Sequence, residues 1–425
     1  MGLKVYREIP DGLQIIGELA GNTRADASFC YDAGYLEGPD AQPISYSLPL
    51  ADEPYGPEAT RPYFDGLLPE GPSRQLLAAE TGCREDDYPT LLARCGLDCV
   101  GDIIINPEAY EHERAYERVE LVSIVSKSRR SRGVARMQAE SRLSIAGVQG
   151  KTGLYHDETR PIDEGWFTPV GGAPSNYIAK FANEYTPDLI ELEYLCMAAA
   201  RSSGVNVAPA DLLLPETPVL CVRRFDRALP SRETIGGLTA PVRLHQEDMA
   251  QALGIAPGSK YAELEPCTIS AVASFLVDHS ANPALDITAL TRLILFNYVI
   301  GNCDNHLKNI SIIYTPNWSA IRLAPAYDLI STAHYPSFST EMGMRLGNTR
   351  TLENVTSADI RELARQIGIS ENVVRNAALE IAEEAVPALK RAASVLDSKG
   401  FADALYLADE LEEEFGPRIE TLKSC

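Results

Sequence analysis

The chain has 425 residues, 45% of them hydrophobic, and a formal net charge of −22. Two or three domains of about 150 residues fit that length, the apolar share excludes wholesale disorder, and the negative charge argues against unaided nucleic-acid binding. No apolar run approaches the ~20 residues of a membrane helix, and Met1-Gly2-Leu3-Lys4-Val5-Tyr6 reads as a strand rather than a signal peptide, so a cytoplasmic protein without membrane contact is expected.

In chain order, a first region runs to about residue 108 and would form a subdomain, 1–108. It mixes short strands such as 13–17 with the turn Gly66-Leu67-Leu68-Pro69-Glu70-Gly71 and a helix over 88–94. Cys95 and Cys99 lie close together, but no neighbouring His or Cys completes a zinc set. The nine cysteines are scattered without a Cys-x-x-Cys pair, which suits reduced thiols better than a disulfide framework. The stretch 107–142 is highly charged and reads as a linker followed by one exposed helix. Within it, Lys127-Ser128-Arg129-Arg130-Ser131-Arg132 is a small basic patch that a solvated loop explains.

A second region, 109–235, is strand-rich. Asn176-Tyr177-Ile178-Ala179-Lys180-Phe181 and Pro218-Val219-Leu220-Cys221-Val222 are β-branched or aromatic runs bounded by turn residues. Between them, 189–203 reads as a helix rich in Leu, Glu and Ala. The third region, 236–425, is mostly helical. Residues 290–300 are apolar almost all round, the mark of a buried helix. Val373, Ala377, Ala378 and Ile381 recur at helical spacing behind Ser370, a candidate N-cap. The fold class expected is α+β, a small strand-rich lobe followed by a larger helical one.

Chemistry concentrates in Gly301-Asn302-Cys303-Asp304-Asn305-His306-Leu307-Lys308-Asn309, a polar loop between the buried helix and a strand-like stretch at 310–314. Asp304 and Asn309 stand five apart, the offset of a kinase catalytic loop. A carboxylate there takes the acceptor's proton, and an amide oxygen holds Mg²⁺ against phosphates. His306 inside this loop touches phosphate or supports the loop. Downstream, 310–314 and 320–323 read as a hairpin delivering Ala324-Pro325-Ala326-Tyr327-Asp328, which places Asp328 where kinases keep a metal ligand. Lys180 ends an alternating strand with its ammonium able to reach phosphate, and Glu191 or Glu193 on the next helix could pair with it. Gly147, Gly150 and Gly153 in Ser144-Ile145-Ala146-Gly147-Val148-Gln149-Gly150-Lys151-Thr152-Gly153 would let backbone amides approach a phosphate. Gly-Lys-Thr is not a Walker motif here, because Ile145 stands where its first glycine belongs. Singly, these features are ordinary turns, caps and solvated lysines; in this order they describe a phosphotransferase. His245 reads as structural.

These residues resemble the HipA family of Ser/Thr kinases, the toxins of bacterial toxin–antitoxin pairs. The likeness runs nearly end to end, through Tyr63-Phe64-Asp65-Gly66-Leu67-Leu68-Pro69-Glu70-Gly71, Ser144 to Gln149, Arg224-Phe225-Asp226-Arg227, His245-Gln246-Glu247-Asp248, Lys260-Tyr261 and the Asp304 and Asp328 loops. It implies a bilobal protein-kinase-like fold with an extra N-terminal subdomain, 1–108, an N-lobe, 109–235, and a helical C-lobe, 236–425. It implies ATP and Mg²⁺ as cofactors, Asp304 as the catalytic residue, and Asn309 and Asp328 as metal ligands. Lys180 would contact ATP phosphates, and Ala146, Gly147, Val148, Gln149, Gly150 and Lys151 would form the phosphate loop. Arg223, Arg224 and Phe225 would be the hinge against adenine; His306, Leu307, Lys308, Asn309, Tyr327 and Asp328 would line the nucleotide site. It also implies inactivating autophosphorylation of Ser144, aminoacyl-tRNA synthetases as targets, growth arrest and persistence, and a DNA-binding HipB-like antitoxin as partner. Arg223 departs from the Glu often found at the hinge, and Gly150 stands where bulkier polar residues are common. The Asp-x-His-x-x-Asn pattern also resembles a lipid-kinase loop, although the net charge suits a membrane surface poorly. A pseudokinase scaffold is the non-enzymatic reading, and the presence of Lys180, Asp304, Asn309 and Asp328 argues against it.

Overall fold

The computed structural model describes residues 2–9, 12–105, 113–129, 132–142, 150–182, 186–229, 233–261 and 267–425. Ser144, Ala146, Gly147, Val148 and Gln149, with Arg130 and Ser131 of the basic patch, lie outside them.

The chain packs as two compact units. One comprises Met1–Tyr185, Pro215–Pro257 and Ile313–Ser319; the other comprises Thr186–Leu214, Gly258–Ile312 and Ala320–Cys425. The cuts expected near 108 and 235 divide the chain differently. Helix Leu189–Ser202 packs on helix Glu371–Ser398 and so joins the second unit.

Two larger antiparallel sheets, beside shorter hairpins, make up the β structure described in the first unit. Strands Ser28–Tyr31, Gly12–Ala20, Gly2–Ile9 and Ile103–Ile105 lie side by side in that order. Alternation sets their inner face: Leu3 and Val5 are fully buried, whereas Lys4 between them and Tyr6 after them are less so. Helices Pro57–Gly66, Gly71–Thr81 and Tyr88–Cys95 follow, the last capped by the Asp87 carboxylate accepting from Thr90 N–H. In the second sheet, strands Ala115–Arg118, Trp166–Val170, Lys151–His156, Tyr177–Phe181 and Val219–Arg223 are neighbours in that order. All of Lys151–His156 is buried, as befits a central strand.

The expected linker-plus-helix over 107–142 needs correction. A strand there is followed by two helices, Leu121–Ser128 and Gly133–Ser141, and both bury one face. Leu121, Ile124 and Val125 supply that face on the first, at i, i+3 and i+4. The dense charges around them hid the pattern. His245 is structural as expected. Its Nδ1 is 2.8 Å from Asp102 and its Nε2 2.9 Å from the Ile44 carbonyl, and its ring stacks on Trp318.

The second unit is mainly helical. Helix Pro283–Ile300 has the length and hydropathy of a short membrane span, yet most of it is buried within the protein. Ile269–His279, Ser357–Ile367, Glu371–Ser398 and Ala404–Lys423 complete its helical body. Ser370 occupies the N-cap position of Glu371–Ser398, but its hydroxyl makes no capping bond. The nine cysteines are free thiols.

Candidate active site

The loop that follows helix Pro283–Ile300 begins at Gly301, whose φ of 69° ends the helix in the left-handed region. A Cβ there would lie 2.8 Å from the Ala333 side chain, so glycine is required twice over. Asn302 then ties three elements together. Its amide nitrogen donates to Asn297 Oδ1 at 2.8 Å and to the Asp328 carbonyl at 3.2 Å, and its oxygen accepts from Asp304 N–H at 3.1 Å. Cys303 N–H donates to Thr332 Oγ1, and Gly343 N–H donates to the Cys303 carbonyl, each at 2.8 Å.

Asp304 emerges from this scaffold with its side chain about half exposed, at 51%. Its backbone carbonyl accepts from His306 N–H at 2.9 Å and from the Asn309 amide at 2.8 Å. The five-residue spacing is therefore a closed hydrogen-bonded turn. One oxygen of the Asp304 carboxylate accepts from the Tyr261 hydroxyl. His306 Nε2 lies 3.7 Å from the same oxygen. Burial, with Lys260 and Lys308 beside it, pushes the His306 pKa down to about 3. The imidazole is therefore neutral near pH 7, and its approach to Asp304 is not an ion pair. His306 Nδ1 is buried without a hydrogen-bond partner among the described residues.

Asp328 is fixed from behind. Ala326 N–H donates to the Asn206 carbonyl at 2.7 Å, and Ala208 N–H donates to the Ala326 carbonyl at 2.9 Å. The Tyr327 hydroxyl donates to the Lys308 carbonyl at 2.8 Å, which joins this segment to the loop of Asp304. Asp328 itself has φ 54°, an uncommon conformation for a residue with a side chain. Such a backbone persists only where its surroundings hold it. Asp304, His306, Leu307, Lys308, Asn309, Tyr327 and Asp328 are thus brought together within one unit.

The donor chemistry here fits Mg²⁺. Asn309 commits its amide nitrogen to the Asp304 carbonyl, which directs its oxygen elsewhere, and Asp328 adds a carboxylate. These are hard oxygen donors of the kind that hold Mg²⁺ alongside phosphates and water. Among the described residues no group of three or more His, Cys, Asp or Glu could hold a metal unaided.

The remaining candidates belong to the first unit. Lys180 and Lys151 are both buried and face each other in register across adjacent strands, with Leu220 opposite Lys180 on the other side. Gly150 abuts this pair, its carbonyl accepting from Phe181 N–H at 3.1 Å. Arg223 pairs with Tyr177 in the sheet and its guanidinium lies 2.9 Å from Glu158. Phe225 is half-buried. Arg224 is different: its guanidinium is 1% exposed and donates to Asp98, Asp226, Ser175 and the Cys99 carbonyl. Only backbone at Arg224 remains for a ligand. The candidate partners of Lys180 lie in the second unit. There Glu191, beside Asp188 and Asp403, has its pKa pushed up to about 7 by burial and those charges, and Glu193 is buried.

Sequence reasoning assigned no role to Tyr261 or Asn302. Lys260-Tyr261 carried a resemblance signal, and Asn302 lies two residues before Asp304, but only the folded chain shows what either touches.

Residues 11–106 match the HipA N-terminal domain, and residues 143–389 match the HipA-like C-terminal domain, more than half of the chain. The chain belongs to the HipA family. It is 32% identical to Y4mE of Sinorhizobium fredii (strain NBRC 101917 / NGR234), provisionally named a kinase, over 92% of each chain. It is 25% identical to the serine/threonine-protein kinase toxin HipA of Shewanella oneidensis, over 93% of this chain and 90% of that one. The solved complex of Shewanella oneidensis HipA with HipB and operator DNA contains a chain that superposes with a TM-score of 0.79. That match has 22% identity and covers 100% of this chain and 99% of the other, which shows a shared fold. This HipA-family chain is accordingly an enzyme of the kinase class with the kinase-like α+β fold expected of it.

Proposed function

We propose that the chain is an ATP- and Mg²⁺-dependent serine/threonine protein kinase, the toxin of a pair whose other member is a HipB-like DNA-binding antitoxin. The observation that carries the catalytic part is Asp304, a half-exposed carboxylate whose own carbonyl is clamped by Asn309 at 2.8 Å. Asp304 takes the proton of an acceptor hydroxyl as that oxygen bonds the γ-phosphorus and ADP departs. Asn309 and Asp328 would hold Mg²⁺, which when bound would supply charge neutralisation at the transferred phosphate. Neutral His306 adds no positive charge that would compete with the metal. Lys180 and Lys151 would contact phosphate oxygens. Ala146 to Lys151 would be the phosphate loop, and the backbone at Arg223, Arg224 and Phe225 would read adenine. Leu307, Lys308 and Tyr327 line the nucleotide. As functional segments, 1–108, 109–235 and 236–425 correspond to the N-terminal subdomain, the N-lobe and the C-lobe.

Phosphorylation of Ser144 would place about −1.5 to −2 charges in the phosphate loop and inactivate the enzyme. The name of the Shewanella oneidensis relative, a serine/threonine-protein kinase toxin, supports a protein hydroxyl as acceptor; a translation factor such as an aminoacyl-tRNA synthetase as its target, and a cytoplasmic setting, complete the proposal. The test is phosphoproteomics on cells expressing wild type beside Asp304→Asn. Phosphoserine or phosphothreonine on host proteins, and on Ser144, should appear only with wild type. Identical phosphopeptide profiles would refute the assignment.

A further inference from the structure

We propose that Tyr261 is a positioning residue for phosphoryl transfer, its hydroxyl holding the Asp304 carboxylate in the orientation that receives the acceptor's proton. The inference rests on the kinase reading of Asp304 and adds to it a residue from 43 positions upstream.

Packing does not fix a carboxylate that is half exposed, and misplacing a reacting group by about 1 Å can cost 10²-fold in rate. Asp304 therefore needs a holder. Tyr261 donates its hydroxyl to one carboxylate oxygen. A phenol is a rigid donor, because its oxygen follows the ring, and this ring is held in several ways. It stands edge-on to His306 at 5.0 Å between centroids with a 73° interplanar angle. The Lys260 ammonium lies 5.2 Å from its centroid. The Tyr261 carbonyl accepts from Arg350 Nη2 at 3.2 Å.

Arg350 belongs to strand Thr349–Thr351, which pairs with Glu341–Leu346. That hairpin also donates Gly343 N–H to the Cys303 carbonyl, and Arg350 Nε donates to the Met342 carbonyl at 3.1 Å. The base and its holder are thus referenced to one hairpin, which sets the separation between them. Fixing one carboxylate oxygen also fixes the direction of the other.

Tyr261→Phe keeps the ring on His306 and under Lys260 and removes only the hydroxyl, so a purely structural tyrosine would not register the change. With Mg²⁺, ATP and casein as the probe acceptor, kcat should fall about 10–100-fold while KM for ATP stays within about twofold. A kcat within about threefold of wild type in a folded variant would overturn the proposal. A second measurement needs no turnover. In protein labelled with 3-fluorotyrosine, the Tyr261 fluorine resonance, identified by its loss in Tyr261→Phe, should move in Asp304→Ala. An unmoved resonance overturns the contact itself, even in a chain that transfers phosphate. A wild type that moves no phosphate to casein or to itself would instead remove the kinase reading on which the proposal stands.

Discussion

Asp98 and Asp304 both sit among charged and polar groups, one in each unit, and their surroundings are opposite in kind. Asp98 is sealed in and meets Arg224, Arg227 and Arg243, while Asp226 and Glu8 balance the surplus of guanidinium charge. Those arginines, with Ser175 donating at 2.6 Å, hold its carboxyl far below the usual carboxylate range against the opposing effect of burial. Asp304 keeps half of its side chain in solvent and takes its order from a turn, a phenol and a neutral imidazole. The first arrangement uses up every charge in place. The second fixes a carboxylate yet leaves it able to meet a substrate, and that contrast separates architecture from chemistry in a chain rich in acidic residues.

The contrast can be broken in order of expected effect. Asp304→Asn should cost about 10²–10⁴-fold in phosphoryl transfer. Its melting temperature should stay within about 2 °C of wild type, because the side chain is half exposed. Asp98→Ala should do the reverse, losing about 3–5 kcal/mol in urea unfolding because three guanidiniums keep their charge without their shared partner. An Asp98→Ala protein as stable as wild type would contradict the structural role given to this cluster.

Gly343→Ala should be intermediate. Its new Cβ would come 2.6 Å from the Asn305 carbonyl oxygen, so the loop of Asp304 must shift at a cost of about 1–3 kcal/mol. Transfer should fall alongside stability, and unchanged kinetics would show that the loop tolerates displacement.

The smallest effect concerns pH. His334 lies 2.7 Å from Glu414, and this partner raises its pKa. A raised folded-state pKa gives stabilisation that is complete below the unfolded value near 6.5 and is lost as pH rises through the folded value. Moving from pH 6 to pH 8 should therefore remove a few tenths of a kcal/mol, since the pair is partly open to solvent. His334→Gln should abolish that increment, and a variant with the same pH slope would assign it elsewhere.

Much of the site was legible because its information is local. A buried apolar helix, a glycine and a polar loop occupy consecutive positions, and Lys180 sits in a recognisable alternating strand. The Asp98 cluster was not legible, since Arg224 lies 126 residues from its partner and no spacing rule spans that interval. Arg224, proposed for the hinge through its backbone, has a side chain committed to the core, which no local pattern showed. Tyr261 was hidden for the same reason. The two helices in 121–141 were readable in principle from Leu121, Ile124 and Val125, but their short length and flanking charge masked the period.

The most direct test of the account is transfer of labelled phosphate from ATP with Mg²⁺ by purified wild type and Asp304→Asn, with melting curves taken on the same samples. The account predicts label in wild type, none above background in Asp304→Asn, and superimposable melts. Equal labelling by the two proteins would contradict it.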